Sequence, residues 1–172
     1  MNVPASIIES LSSMPQQFER AFRLVPRSRH HWKPESWDGV PGEMFSALEQ
    51  ACHLRDIEID GYQVRIRRML DESDPMLAAI DSYALARERR YAEADAAQAI
   101  AAFGTARVAT IGMLTRVRSE HLDRTGSFAG YGRLTLRSLI HYLSSHDQQH
   151  LACMQWLLGK MNSGTNSARP TS

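Results

Sequence analysis

The protein has 172 residues, 43% of them hydrophobic and 23% charged, which is typical of one globular domain with a substantial core. A formal net charge of +1 gives no reason to expect nucleic-acid binding, and the sequence has no run of about 18 apolar residues that would predict a membrane span. Two cysteines are too few for a disulfide framework, and the N-terminus lacks the basic segment of a signal peptide, so we expect a soluble, cytoplasmic protein.

Apolar residues recur at intervals of three and four along the chain, which predicts helices almost throughout and no strands. The first helix is expected over residues 5–24, interrupted or tightened at Pro15. Residues 26–41 form a loop that contains Trp32 and Trp37. Because exposed indole rings are costly, we expect these two to pack as a lid over one end of the helices.

The second helix is expected over residues 42–70, with a break at Asp74-Pro75, because the residue before a proline disfavours the helical conformation. Residues 71–94 then form a crossover with a short helical piece over 85–90. The third helix is expected over residues 95–122.

A glycine-rich turn over residues 124–132 precedes the fourth helix, for which Thr135 is the expected N-cap. This helix runs to Met161. Residues 1–161 are therefore predicted to form a single domain, and the polar tail 162–172 is predicted to be disordered.

Four long helices predict an all-α four-helix bundle. A helix of about 28 residues is about 42 Å long, and the crossover can return along that distance, so helices two and three are expected to run parallel. The short turn before helix four makes helices three and four antiparallel neighbours.

The strongest chemical signal lies in the fourth helix, where His146 and His150 are four residues apart. Residues at this spacing share one helix face, so both imidazoles can reach one ion, and imidazole is the commonest protein ligand of zinc, nickel and iron. Taken alone, the pair is equally compatible with a solvated face or with core hydrogen bonds. A third ligand is needed to favour a metal.

His53, midway along the second helix, is the natural third ligand. On a helical wheel, however, it shares a face with Gln50, Asp60 and other polar residues, while the apolar stripe around Leu48 and Ile66 points the other way. Periodicity alone therefore favours an exposed His53.

Other side chains are weaker candidates for the same site. Asp56 and Asp147 could orient the imidazoles or bind the ion, although each is equally an ordinary surface acid. Arg124 could recognise a substrate carboxylate or form a structural ion pair. His121 could line the cavity, but we favour a helix-capping role for it. Trp37 could border a pocket beneath the lid.

Several motifs occur in an order that resembles the DinB/YfiT-like superfamily. After the tryptophan-containing loop they are Cys52-His53-Leu54-Arg55-Asp56-Ile57-Glu58, Arg124-x-Gly126 with Gly130-Tyr131-Gly132, and Ser145-His146-Asp147-Gln148-Gln149-His150-Leu151. The resemblance covers roughly residues 32–160. It implies a four-helix bundle of up-down-down-up topology with a long crossover between helices two and three.

The resemblance also implies that His53, His146 and His150 bind one divalent metal, and this implication outweighs the helical-wheel argument against His53. Many members are homodimers, so a homodimer is expected. Characterised relatives include thiol-dependent transferases and isomerases.

The first hypothesis is thus a metal-dependent enzyme in which zinc, nickel or iron activates a low-molecular-weight thiol or a water against a small-molecule substrate. The alternative is a non-catalytic, stress-related metal-binding dimer whose fourth coordination position is closed, for example by Asp56, Glu58 or Cys153. A third reading is a helical interaction module whose histidines merely pack. None of these involves nucleic acid or a membrane.

Overall fold

In a computed structural model, residues 3–163 are described. Six α-helices account for most of this length: α1 Ala5–Arg23, α2 Ala47–Asp56, α3 Gln63–Asp71, α4 Ser82–Glu88, α5 Ala96–Leu114 and α6 Leu136–Ser163. A π-helical segment, Ile57–Tyr62, joins α2 to α3, so that the three together form the predicted second helix. Short 3-10 turns occupy Arg27–Arg29, Tyr91–Glu93 and Ser119–His121.

The long helices form the predicted bundle. α1 and α2 each pack against both α5 and α6, so α5 and α6 lie opposite one another across the bundle. They are therefore not the adjacent pair that the short connection between them predicted. The connection between them carries two strands of a small three-stranded sheet.

The apolar core divides into two clusters. The first packs the C-terminal halves of α1 and α6 against the N-terminal halves of α2 and α5, and includes Phe18, Phe22, Leu48, Phe103 and Leu157. The second packs the opposite halves of α1, α5 and α6 against the π-helical segment and α3, and includes Leu11, Ile66, Leu114, Leu139 and Leu143. Buried polar residues lie where the clusters meet: Gln50, His53, Glu58, Arg107, Asp147 and His150.

The helix ends follow local capping chemistry. Ser46 caps α2 in a reciprocal capping box with Glu49, so this helix begins at Ala47 and residues 42–45 precede it as loop. Asp95 caps α5 by accepting from the backbone N–H of Gln98. Thr135 caps α6, as predicted, by accepting from the N–H of Ser138 at 3.2 Å.

Pro15 does not interrupt α1, which is continuous from Ala5 to Arg23. A proline within a helix leaves the carbonyl four residues earlier without its usual N–H donor. Here that carbonyl belongs to Leu11, and it accepts a hydrogen bond from Nη1 of Arg107 at 3.0 Å. The expected break is absent because a side chain from α5 satisfies the backbone group that Pro15 leaves free.

The prediction of no strands is wrong. β1 Met76–Leu77 pairs in parallel with β2 Thr125–Phe128, which pairs antiparallel with β3 Gly132–Thr135. Strands of two to four residues are too short to show a period of two in the sequence. A side chain at Gly126 would lie 2.6 Å from Sδ of Met69 and 2.9 Å from the Pro75 carbonyl, so the close approach of β2 to the bundle requires glycine.

The remaining boundaries differ from prediction in smaller ways. The third helix ends at Leu114 rather than at residue 122. The helical piece in the crossover is α4, which begins at Ser82. α6 continues to Ser163, and the rest of the predicted disordered tail lies outside the described residues.

Among the described residues, α5 alone is long and apolar enough to cross a membrane by length and composition. Within the fold it packs against α1 and α2 and buries the charged side chain of Arg107. These contacts are those of a bundle helix.

The tryptophan loop covers the first core cluster. Trp37 stacks on Trp156 of α6 with ring centroids 5.6 Å apart, and Trp32 is half-buried against the same cluster. The position agrees with the predicted lid over one end of the bundle.

Candidate metal centre

Three histidines from two helices converge at the junction of the core clusters. Nε2 of His146 lies 3.2 Å from Nε2 of His53 and 3.1 Å from Nε2 of His150. One ligand atom from each ring falls within a set whose members are all within 4.8 Å of one another. The structure therefore brings together the three residues that the sequence motifs and the resemblance singled out.

The helices fix this arrangement. His146 and His150 are one turn apart on α6, and their ring centroids are 4.4 Å apart. His53 approaches from α2, with its ring 4.6 Å from that of His150 and beside the ring of Phe45 at 5.3 Å. His53 and His150 are buried, whereas His146 is partly exposed beside Tyr62, which opens the cluster to solvent on one side.

The helical-wheel expectation of an exposed His53 is wrong, since this residue is 1% exposed. Eight of the ten residues of α2 are buried, so the helix has no solvent face for a wheel to identify. The π-helical segment that follows changes the rotation per residue, so Asp60 and Val64 do not continue the face of Gln50 and His53. Val64 is accordingly 40% exposed.

Gln50 sets the tautomer of His150. Its Oε1 pairs with Nδ1 of His150, and its Nε2 donates to the carbonyls of Glu43 and Phe45 at 3.3 and 3.4 Å. Because the amide nitrogen is committed to these carbonyls, Oε1 is the acceptor and Nδ1 of His150 carries the proton. Nε2 of His150 therefore presents its lone pair to the cluster, which is the form that ligates metals.

Burial keeps the three rings neutral. Desolvation lowers the pKa of His53 to about 4, against a smaller opposing effect of the Asp56 charge. Desolvation also holds the pKa values of His146 and His150 well below the ordinary value, and the neighbouring imidazoles add to the effect. Neutral imidazoles are the ligating form, so no proton has to be removed at neutral pH.

A carboxylate that the sequence analysis missed faces the same cluster. Oε1 of Glu43 lies 3.7 Å from Nε2 of His53, and Oε2 lies 3.7 Å from Nε2 of His150. Glu43 occupies the loop before α2. The periodicity of apolar residues gives no information about a loop residue such as Glu43, and the only sequence signal near it is the preceding Gly42.

Asp147 is not part of the histidine cluster, although it follows His146 directly. It accepts from Nη1 and Nη2 of Arg107, and Glu58 accepts from Nε and Nη2 of the same guanidinium, with all three side chains buried. With the Leu11 carbonyl as a further acceptor, all five N–H groups of Arg107 are paired. We refer to Arg107, Glu58 and Asp147 as the arginine triad.

The other predicted pocket residues lie outside the cluster. Asp56 pairs with Arg55 at 2.6 Å and with Arg89 at 3.0 Å, and these partners lower its pKa against the opposing effect of burial. Arg124 donates to the carbonyls of Met69 and Glu72, so it caps the end of α3.

His121 and Trp37 also serve local structure. His121 lies in a 3-10 turn, where its Nδ1 accepts from the N–H of Arg118, so it does not cap α5 as expected. Trp37 packs on Trp156. Both cysteines are free and buried, and burial raises the pKa of each thiol to about 11.

The donor set fits a divalent cation of the borderline class. Three neutral imidazole nitrogens and one carboxylate converge without a basic side chain among them, and such donors suit zinc, nickel and iron. Oε2 of Glu43 and Nδ1 of His53 are buried without a hydrogen-bond partner among the described residues. A cation would supply the carboxylate with the partner that the chain does not provide.

Comparison with known proteins identifies the family of this chain. The family model of the DinB superfamily matches residues 10–154. Among solved structures, the chain is similar to YfiT from Bacillus subtilis, described as a probable metal-dependent hydrolase with an unusual four-helix bundle topology; the TM-score is 0.80 at 18% identity, over 91% of this chain and 86% of that one. The curated proteins contain no match. Because the family model spans most of the chain and the structural likeness confirms the helical fold, this protein belongs to the DinB superfamily.

Proposed function

We propose that this protein is a metal-dependent enzyme whose divalent cation is held by His53, His146 and His150. The observation that carries the proposal is the convergence of three neutral imidazoles, two of them buried, on one point that remains open to solvent beside His146. Three protein ligands with an open side are the arrangement of catalytic rather than structural sites.

Hydrolysis is the reaction class that the geometry supports best. A bound divalent cation supplies Lewis acidity, which lowers the pKa of a coordinated water or thiol into the neutral range. The solved neighbour is described as a probable metal-dependent hydrolase, which supports water as the nucleophile. Transfer from a low-molecular-weight thiol uses the same ligands and is the second form of the proposal.

The chain's own residues then prepare the site. Gln50 orients His150 through its Nδ1, so the ring cannot rotate away from the cluster. Phe45 packs on His53 and excludes water from its buried side. A small-molecule substrate would enter beside His146 and Tyr62, where the cluster is accessible.

The finer topology also belongs to the proposal. The first core cluster joins the C-terminal halves of α1 and α6 to the N-terminal halves of α2 and α5, and the second joins the opposite halves of α1, α5 and α6 to the π-helical segment and α3. This pairing supports an up-down-down-up bundle with α2 and α5 parallel. A homodimer and a cytoplasmic location remain predictions.

The first test is metal content. Protein purified without an affinity tag is expected to contain one divalent cation per chain by elemental analysis, and His146→Ala and His150→Ala should each abolish it. His141→Ala is the matched control, because His141 is an exposed histidine on the same helix. Equal metal content in all four proteins would refute the site.

The second test is activity. Ester and amide substrates are screened for hydrolysis, and electrophiles for thiol transfer, each with the metal present and after chelation. Turnover that requires the metal and disappears in His146→Ala supports the proposal. Bound metal without turnover in any combination would favour the non-catalytic alternative.

A further inference from the structure

One carboxylate oxygen of Glu43 is buried beside the histidine cluster. Its two oxygens each lie 3.7 Å from a ring nitrogen, one on His53 and the other on His150. Oε1 also accepts a long hydrogen bond of 3.4 Å from Oγ of Ser82. Oε2 has no hydrogen-bond partner in the described part of the chain.

This isolation distinguishes Glu43 from the other acids near the cluster. Asp56 is paired with Arg55 and Arg89, whereas Glu58 and Asp147 share Arg107. A buried carboxylate oxygen without a hydrogen-bond partner or a cation is costly. The arrangement is favourable only if a positive charge lies between the carboxylate and the rings.

The separations fit a single coordination shell. Ligands bound at about 2.0 Å in a tetrahedron are about 3.3 Å from one another. Nε2 of His146 lies 3.2 and 3.1 Å from Nε2 of His53 and His150, and each carboxylate oxygen is 3.7 Å from one ring nitrogen. The Glu43 carboxylate therefore lies close to the position of a fourth donor, beside His53 and His150.

We propose that Glu43 is a fourth protein ligand of the divalent cation, so that the centre is three histidines and one glutamate. This inference rests on the proposed metal site. It replaces Asp56, Glu58 and Cys153, which were considered from the sequence as the residues that could close the fourth position.

The loop that carries Glu43 is fixed in position by its contacts with α6 and Gln50. A Cβ at Gly42 would lie 2.7 Å from Nε2 of Gln149 and 3.1 Å from Sγ of Cys153, so a side chain here would displace Gln149 and crowd Cys153 where the loop meets α6. The carbonyl of Glu43 accepts from Gln50, the residue that also orients His150. Gln50 thus makes hydrogen bonds both to the loop that carries Glu43 and to the His150 imidazole.

The fourth donor also has a consequence for reactivity. Four protein ligands fill a tetrahedral ion, so a substrate or water has to enter as a fifth ligand or displace one donor. The three histidines are carried by helices, whereas Glu43 lies on a loop with 24% of its side chain exposed. Glu43 is therefore the ligand that an incoming water or substrate can displace.

The test measures metal binding rather than activity. Metal-free wild type and Glu43→Gln are titrated with Zn²⁺ against a chromophoric chelator, and with Co²⁺ while the visible absorption spectrum is recorded. Loss of the carboxylate is expected to weaken Zn²⁺ binding at least about tenfold and to change the Co²⁺ spectrum. Glu88→Gln is the matched control, since Glu88 is exposed and its loss removes the same charge.

Glu43→Asp keeps the test decisive if Glu43→Gln does not fold, as judged by circular dichroism. Aspartate retains the charge but withdraws the carboxylate by one methylene, so Zn²⁺ binding should weaken and the Co²⁺ spectrum should again change. Wild-type affinity and a wild-type spectrum in whichever of the two variants folds would overturn the inference.

His146→Ala separates this inference from the proposed function. If the wild type binds no metal, or His146→Ala binds as tightly as wild type, both the proposed site and the fourth ligand are wrong. If His146→Ala loses the metal and Glu43→Gln keeps wild-type affinity, the three-histidine site stands and only the assignment of Glu43 fails.

Discussion

Two polar clusters lie side by side in the interior of this bundle, and consecutive residues of α6 contribute to them. His146 joins the histidine cluster, and Asp147 joins the arginine triad. In the triad, all five N–H groups of Arg107 have acceptors. In the histidine cluster, three imidazoles and a carboxylate face one another, and two buried atoms have no hydrogen-bond partner in the described chain.

The difference shows how a structural polar site is distinguished from a binding site. A buried charged group that is fully paired within the chain stabilises one packing arrangement and needs nothing further. Buried polar atoms that lack a hydrogen-bond partner within the chain are stabilised when a ligand supplies one. The comparison predicts opposite responses to mutation: loss of folding stability at the triad, and loss of metal at the histidines.

The largest effect is expected at Arg107. Replacement by methionine leaves Glu58 and Asp147 buried without a cation, so the free energy of unfolding should fall by about 3–5 kcal/mol. Chemical denaturation measures it. Arg23→Met is the control, because Arg23 forms an exposed ion pair with Glu19 whose loss should change the stability by less than about 1 kcal/mol. Equal effects of the two substitutions would contradict the distinction between the clusters.

The second effect concerns pH. The pKa of His53 is about 4 in the folded protein, below the ordinary 6.5, so between these values the unfolded chain binds more protons. The stability of the metal-free protein that is due to His53 is therefore present above pH 6.5 and is lost as the pH falls towards 4. The loss is on the order of 3 kcal/mol for this residue.

Asp147 has the opposite effect on the pH dependence of folding stability, because burial raises its pKa to about 6. His53→Leu separates the two, because it removes one titrating group and keeps the other. Urea denaturation of the metal-free proteins at pH 7 and pH 5 should show a smaller loss of stability in the variant. An identical pH dependence would mean that His53 is not the neutral, desolvated ring described above.

The third effect is confined to the metal centre. Gln50→Leu removes the acceptor of the His150 Nδ1 proton and frees the ring, so Zn²⁺ affinity should fall by about 10–100-fold. Competition with a chelator measures this. Gln50→Glu retains an acceptor at the same atom but loses the donor to the carbonyls of Glu43 and Phe45, so it should restore part of the affinity. If leucine and glutamate behave alike, Gln50 does not orient His150.

The smallest effect is expected at Arg124. Its guanidinium donates to the carbonyls of Met69 and Glu72 at 2.7 Å, so Arg124→Gln should reduce the free energy of unfolding by about 1–2 kcal/mol. Zn²⁺ affinity, measured as for Gln50, should stay within twofold of wild type. A loss of metal or of substrate binding at unchanged stability would restore the recognition role considered from the sequence.

The long helices of the fold could be predicted from the sequence, because their apolar residues recur at intervals of three and four. The predicted ends of these helices were less accurate. The Ser46 to Glu49 capping box is present in the sequence and identifies Ser46 as the N-cap of α2. This residue lies four positions after the expected helix start at 42. The strands were missed because none exceeds four residues.

The site was only partly predictable. The spacing of His146 and His150 identified one face of α6, but His53 depended on the family resemblance, because a wheel assumes one buried side and α2 is buried on nearly all sides. Glu43 left no pattern, since it reaches the cluster from a loop. The pairing of Asp147 with Arg107 joins residues 40 positions apart, which no local rule relates.

The hydrogen bond between Arg107 and the Leu11 carbonyl has a consequence for how the protein tolerates substitution. Its acceptor is a main-chain oxygen, so exchanging the side chain at position 11 leaves the bond's chemistry intact and tests only apolar packing. The proline at position 15, which has no N–H to donate, keeps that oxygen free. In a deep mutational library, we therefore expect positions 15 and 107 to vary together, although one is a rigid imino acid in the first helix and the other a cation in the fifth.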